Sequence, residues 1–331
     1  MMRHLANLFY IKFWLMKKHH KIKYTISVFC ILIAFAVSRF GYFDISVEDL
    51  KKEYSNAYSK FMELDEMFVH YRDEGKGFPI VLIHGTASSL HTWDAWTNEL
   101  KKTNRVIRMD LPAFGITGPN KNADYSIKGY TAFLHSFLKK LNIEKFHIVG
   151  NSLGGNIAWN YAAENPTKIE KLILVDASGL PTNKPQPKIF EMAKKSILSP
   201  FFLYITPKIL IEKNMKAVYA NDAKVTEELI TRYHKMVLRA GNRQAFIDRA
   251  KIYVNLGTKK NIDKLKSIQT PTLLIWGAQD NWIPLDTGKR MNALIPNSKL
   301  VTILNSGHVP MEENPTKSLK ILMNFLENER L

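Results

Sequence analysis

"HIVGNSLGGN", His147 to Asn156, sets a serine between glycines where an apolar run gives way to a helical pattern. Phe146 to Val149 alternate too little for a half-exposed strand, whereas Ile157, Ala158, Tyr161 and Ala162 recur at helical spacing. Ser152 is therefore predicted to sit on a strand-to-helix turn. A turn that sharp crowds strand against helix, so small residues are needed two positions before and after its apex, where Gly150 and Gly154 stand. The hydroxyl would project from the carboxyl end of the strand, and the amides after it, at a helix amino terminus, would face any negative charge formed nearby. This G-x-S-x-G pattern also arises by chance, and a serine at a helix start is commonly only a cap, so the rest of the chain must decide.

The chain has 331 residues, 46% of them hydrophobic, enough for one large domain or a domain with an insertion. Its single cysteine, Cys30, excludes a disulfide framework and a cysteine-based metal site. The redox compartment stays open, because a domain of this size needs no disulfides. The net charge of +17 is concentrated in two zones: residues 1–23 carry six Lys/Arg and no acids, and residues 181–266 carry eighteen Lys/Arg against seven acids. Neither zone interleaves basic residues with base-stacking aromatics or matches a groove-reading motif, so no nucleic-acid partner is expected. A membrane surface suits both zones better, with a plainly solvated basic face as the alternative for the second.

Tyr24 to Ser38, "YTISVFCILIAFAVS", carries no charge, and with Phe40 to Phe43 it reaches about the 20 residues of a spanning helix, interrupted only by Arg39. Basic residues precede it, and Asp44, Glu48 and Asp49 follow. The positive-inside rule then predicts a single-pass membrane protein with residues 1–23 in the cytoplasm and the remainder on the other side. A cleaved signal peptide ending near Ala34-Phe35-Ala36 is the rival reading, and would release a secreted product. Cys30 follows the large Phe29 and reads as an ordinary apolar residue rather than a lipid acceptor.

Residues 44–60 read as a linker that includes a polar or helical stretch, followed by two strands, "KFMEL" and "MFVHYRDEG", around a tight turn at Asp65-Glu66. Further strands are expected at "PIVLIHG", "RVIRMD", the run before Ser152, "KLILVDASG", "PTLLIWGAQD" and "SKLVTIL", with helices near 92–101 and 126–141 and after the later strands. This alternation predicts an α/β fold: a mostly parallel, doubly wound sheet whose ligands bind at the carboxyl ends of its strands. Residues 181–266 break the rhythm with prolines at 181, 185, 187, 200 and 207, several helices and no strand. They are expected to form a helical cap on a core of residues 61–180 and 267–331. The apolar stretch "SPFFLYITPKILIE" would serve either as the cap's own core or as an acyl-binding wall.

Four segments in this order, "HGTAS", "GNSLGG", "WGAQDNWIP" and "GHVPMEENP", resemble the α/β-hydrolase superfamily over roughly residues 61–328. "DLPAFGITGP" is similar to the family's D-x-P-G-x-G loop, with Ala113 in place of its first glycine. The resemblance implies a nucleophile, acid and histidine in chain order at Ser152, Asp280 and His308, and an oxyanion hole from the backbone amides of Thr86 and Leu153. The chemistry requires all three side chains: a serine hydroxyl needs an imidazole to accept its proton, and the imidazole needs a carboxylate to fix its tautomer. His84 is expected to be structural, His91 and His147 to be surface or strand-end residues, and Asp176 to be an alternative acid. An elbow serine excludes relatives that attack through aspartate, and the absence of HExxH, P-loop and dinucleotide fingerprints implies no metal or organic cofactor. The leading expectation is a membrane-anchored serine hydrolase of carboxylic esters, with medium acyl or monoacylglycerol-type lipid esters as substrates. The alternatives are a C–C bond hydrolase of ring-fission products and a catalytically silent binding protein.

Overall fold

The computed structural model describes residues 21–32, 35, 42–182, 184, 185, 188–194, 202–252 and 258–327. Eight strands form one sheet in the order β1-β2-β4-β3-β5-β6-β7-β8. They are β1 Ser59–Leu64, β2 Met67–Glu74, β3 Phe78–Ile83, β4 Asn104–Met109, β5 Phe146–Asn151, β6 Ile169–Val175, β7 Thr272–Gly277 and β8 Ser298–Ile303. β1 and β2 meet antiparallel across Asp65 and Glu66, whose φ values of 49° and 60° are those of a hairpin turn matched to strand twist. β2 is also antiparallel to β4, and every other pair is parallel.

The register aligns the strand ends. Ile83 pairs with Gly150, Asn151 with Val175, Val175 with Ile275, and Gly277 with Ile303. The loops after β3, β5, β6, β7 and β8 therefore open on one edge, which is where the candidate residues lie. Alternate side chains of the central strands go to opposite faces. Val81, Ile83, Ile148 and Leu174 join one core cluster, while Ile80, Leu82, Val149 and Ile173 join another with Trp93 and Trp96. Apolar burial on both faces is what a central parallel strand requires.

Helices α1 Val47–Tyr54, α2 Asp94–Leu100, α3 Ile127–Lys140 and α4 Leu153–Glu164 accompany the first part of the sheet. A short 3-10 turn, Leu90–Trp93, leads into α2, so the expected helix near 92–101 starts earlier and tighter than its periodicity suggested. Between β6 and β7 lie α5 Lys188–Lys194, α6 Lys208–Val218, α7 Glu227–Leu238, α8 Asn242–Lys251 and α9 Lys259–Lys266, and among the described residues this insertion adds no strand to the sheet. Side-chain caps fix where two of them begin: Thr226 accepts from the Leu229 amide and Thr258 from the Asn261 amide. α9 contacts α4, Lys264 donating to Asn160 and Glu164. α10 Leu285–Leu294, α11 Pro310–Glu313 and α12 Pro315–Glu327 complete the chain.

The membrane reading is corrected here. Among the described residues no helix is long and apolar enough to cross a membrane. Within the expected span over 24–43, residues 33, 34 and 36–41 lie outside the described residues, as do residues 1–20 of the basic tail. The described residues 21–32 are helical and include Lys21 and Lys23. The single-pass topology, its orientation and the membrane contact through residues 24–43 therefore lose their support.

Two histidines of the sheet region are neutral by burial. Desolvation pushes His91 down to about 4, against its charged neighbours Asp110 and Asp94, and it pushes His147 down to about 4 with the Lys171 charge adding to the effect. Both bind their proton more weakly folded than unfolded, so the stability they contribute is full above the ordinary value of 6.5 and is lost as pH falls towards 4. Urea midpoints measured between those limits should fall with pH, and His147→Gln should flatten the fall; a wild-type midpoint constant over this window would refute the linkage.

Candidate active site

The turn after β5 places Ser152 at φ 53° and ψ −113°, a region that residues with a β-carbon rarely occupy. Backbone contacts hold it there: its amide donates to the Val175 carbonyl at 3.0 Å, and its own carbonyl accepts from the Ser178 amide at 3.0 Å and the Ser178 hydroxyl at 3.2 Å. The flanking glycines are sterically required. A β-carbon on Gly150 would lie 2.2 Å from the Gly154 carbonyl oxygen, and one on Gly154 would lie 2.1 Å from that of Ile83. Gly85 packs on the elbow itself, since a β-carbon there would approach the Ser152 β-carbon to 3.1 Å. Thr86 is the next residue, and Leu153 begins α4. Among the described residues neither the Thr86 nor the Leu153 amide donates to another group.

Asp280 and His308 come together from the loops after β7 and β8, with Nδ1 of His308 2.7 Å from Oδ2 of Asp280 and both residues 4% exposed. The other oxygen, Oδ1, accepts from the amides of Trp282 at 2.7 Å and Ile283 at 2.9 Å, so Asp280 is fixed by its own loop. With Nδ1 donating to this carboxylate, the neutral ring presents Nε2 as an acceptor. Asn151, the residue before Ser152, donates from Nδ2 to the His308 carbonyl at 3.0 Å and to the Val175 carbonyl at 3.2 Å. One side chain thus ties the elbow strand to the histidine loop. The sequence gives no sign of this role, although Asn151 is the variable position of the quoted motif.

The remaining expectations separate clearly. His84 accepts from the Leu111 amide at Nε2, 2.9 Å, and donates from Nδ1 to the Gly85 carbonyl, 2.7 Å; its ring is committed to shaping the loop, and burial lowers its proton affinity. His91 is not a surface residue: it is 6% exposed, bonded to Ser89 and packed by Arg72 and the Tyr54 carbonyl. Asp176, weighed as an alternative acid, lies fully buried beside Asp280, while the imidazole pairs with Asp280. Asp176, Asp280 and His308 are the only described group with the donor types and spacing to hold a cation.

Two features had no signal in the motifs. Trp282 lies against the His308 ring with centroids 5.7 Å apart, and Phe190 of α5 packs edge-on to Trp282 and against Phe246 of α8. This aromatic run leads from the imidazole into the insertion. A polar network does the same from the other side. Tyr233 of α7 donates to Glu312 at 3.1 Å, Tyr219 donates to the same carboxylate at 3.0 Å, and Arg232 pairs with it at 3.2 Å. Because the Tyr233 hydroxyl proton goes to Glu312, the Ser88 hydroxyl 3.1 Å away is the donor in their contact. Ser88 is two residues beyond Thr86, and Glu312 is on the short helix after His308. Burial, with the Glu312 charge beside it, pushes the Tyr233 hydroxyl up, so it stays a neutral donor.

A mostly parallel sheet with a strained serine elbow and a carboxylate-held histidine at the same edge is the architecture of a hydrolase. The chain belongs to the alpha/beta hydrolase fold family, whose model matches residues 79–315. It is 29% identical over 292 residues to a 2-hydroxy-6-oxononadienedioate/2-hydroxy-6-oxononatrienedioate hydrolase of Pseudomonas putida, covering 85% of this chain and 99% of that one. It is 28% identical over 255 residues to a monoacylglycerol lipase of Bos taurus, covering 75% of this chain and 74% of the lipase. Among solved structures, a meta-cleavage product hydrolase superposes with a TM-score of 0.70 at 23% identity, over 81% of this chain and 98% of that one.

The network around Glu312 yields a stability prediction. Tyr233→Phe removes a hydroxyl that serves both Ser88 and Glu312, leaving a carboxylate and a serine short of a partner, which should cost about 1–3 kcal/mol. Urea unfolding of the variant measures this directly; a loss under about 0.5 kcal/mol, the size of an ordinary surface change, would mean that the network does not brace the fold.

Proposed function

We propose that the protein is a serine hydrolase of carboxylic esters with an apolar acyl group. Ser152 attacks the ester carbonyl, His308 takes the hydroxyl proton, and Asp280 holds the imidazolium that results. The Thr86 and Leu153 amides stabilise the oxyanion, and the proton on His308 passes to the departing alcohol. Water, activated by the same histidine, then releases the acid from Ser152. Residues 61–180 and 267–331 act as the catalytic core, and residues 181–266 as a cap over it.

The observation that carries the choice of ester is the uncharged aromatic run Phe246–Phe190–Trp282 against His308. An apolar group bound beside the base finds its counterpart there. The lipid-like substrates expected of an anchored enzyme lost their basis with the anchor, whereas the apolar wall is a property of the site. A second reading, hydrolysis of a C–C bond next to a carbonyl, is favoured by the likeness to the Pseudomonas putida hydrolase. A substrate of that kind is a dianion and calls for unpaired cations, whereas Arg232, the insertion cation linked through Tyr233 to the Ser88 loop, already has Glu312 as its partner.

Purified full-length protein, offered p-nitrophenyl esters from C2 to C8 and a dianionic ring-fission diketone, is expected to turn over the esters with higher kcat/KM. Ser152→Ala should lower that rate on the order of 10³-fold or more. Faster turnover of the diketone would transfer the assignment to C–C cleavage, and an undiminished ester rate in Ser152→Ala would remove the nucleophile.

A further inference from the structure

Asp176 has no part in the mechanism above, yet it is a fully buried carboxyl at the same sheet edge. It follows β6 with φ 43°, a conformation that costs a residue with a β-carbon free energy, and its side chain is fully buried. Oδ1 accepts from the Gly277 amide at 2.9 Å. Oδ2 is buried and meets no N–H or O–H donor. Asp280 and His308 are its neighbours, one carboxylate oxygen of Asp176, one of Asp280 and a ring nitrogen of His308 all lying within 4.8 Å of one another.

Two carboxylates this close in a dry site cannot both be ionised. Their hydrogen bonds decide which one holds the charge. Asp280 receives three N–H groups, from Trp282, Ile283 and His308, whereas Asp176 receives one. We propose that Asp176 is a neutral carboxylic acid whose proton, on Oδ2, is donated to the Asp280 carboxylate, making Asp176 a positioning residue that acts through Asp280. The proposal builds on the reading of Asp280 as the acid partner of His308. It accounts for the orphaned oxygen, because a buried carboxyl oxygen that meets no donor is satisfied once it carries a proton of its own to donate. The groups that face Asp176 are Asp280, His308 and, farther off, Glu313; burial first, and then the Asp280 charge, raise its proton affinity well above the ordinary carboxylate range.

The added donor has two consequences. It holds the Asp280 carboxylate towards β6 while His308 holds it from the other side, fixing the orientation of the imidazole. It also draws charge density away from the oxygen that faces His308, so the base is not over-stabilised in its protonated form.

Infrared spectroscopy of the full chain in deuterated buffer at neutral pH tests the protonation state with no reference to activity. A carboxylic acid C=O band should be present in the wild type and absent in Asp176→Asn; a wild type without such a band overturns the proposal. A divalent cation held by the same three side chains would displace the proton and abolish the band, and would overturn it equally. The second arm uses the acid limb of the kcat/KM profile for the best ester. Asp176→Ala removes the donor and should lower kcat/KM about tenfold and move the limb to higher pH, whereas Asp176→Asn, whose amide still donates, should recover activity to within about threefold. If Asp176 were ionised, Asp176→Asn would delete a negative charge beside the base and move the limb to lower pH by about one unit. Thermal melting of both variants separates loss of fold from loss of positioning. A band present without any ester turnover would uphold the neutral acid and reject the ester reading instead.

Discussion

The structure depends on how closely three strand ends approach one another around Ser152. At φ 53° the elbow is a strained conformation, and it persists because its surroundings leave no alternative: β6 supplies the acceptor for its amide and Ser178 two donors to its carbonyl. The approach is possible only with glycine at Gly150 and Gly154, where a β-carbon would overlap backbone oxygens at 2.2 and 2.1 Å. Because Gly154 packs on Ile83, the same crowding that strains the serine also fixes the end of β3, and therefore the loop that carries Thr86. The strain at Ser152, the start of α4 and the end of β3 are consequences of a single packing constraint.

That constraint explains why so much of the architecture could be read from the chain. Glycines at fixed offsets from a serine, together with continuous apolar runs such as "PIVLIHG" and "PTLLIWGAQD", encode backbone requirements locally, and local requirements leave a local trace. The strand set, the Asp65-Glu66 hairpin and the helical insertion after β6 all follow from periodicity and turn residues. Hydropathy was a poorer guide at the amino terminus: an uncharged composition from Tyr24 to Ser38 suggested a span, but a span also requires unbroken helix of sufficient length, and the described residues contain none.

What the sequence withheld is long-range and polar. Nothing near Ser88 announces that its partner lies 145 positions away in Tyr233, and nothing near Asn151 announces the His308 carbonyl 157 positions on. His91 looked like a surface residue because histidine is often exposed, and it is buried because Arg72, Ser89 and the Tyr54 carbonyl converge on it from three elements. Such contacts are set by tertiary packing after the backbone is in place, so they leave no periodicity. Asp176 is intermediate: its place after a strand was legible, but not its proximity to Asp280.

These polar contacts divide between the two sides of the imidazole in a way that bears on chemistry. The amides of Trp282 and Ile283 hold the buried Asp280, where each donor counts for more than it would in water. Trp282 lies against the imidazole ring, and Phe190 packs on Trp282 in turn. In the proposed mechanism the charge that develops on His308 is met by Asp280 and its fixed amide donors, with the Trp282 ring beside it. A preorganised site of this kind needs little reorganisation when the imidazolium forms. The Glu312 network extends the same logic to the loop of Thr86, because α7 cannot shift without moving both Ser88 and the helix that follows His308. The insertion is thus mechanically joined to both sides of the candidate site, and displacement of α7 would disturb Ser88 and the helix after His308 together.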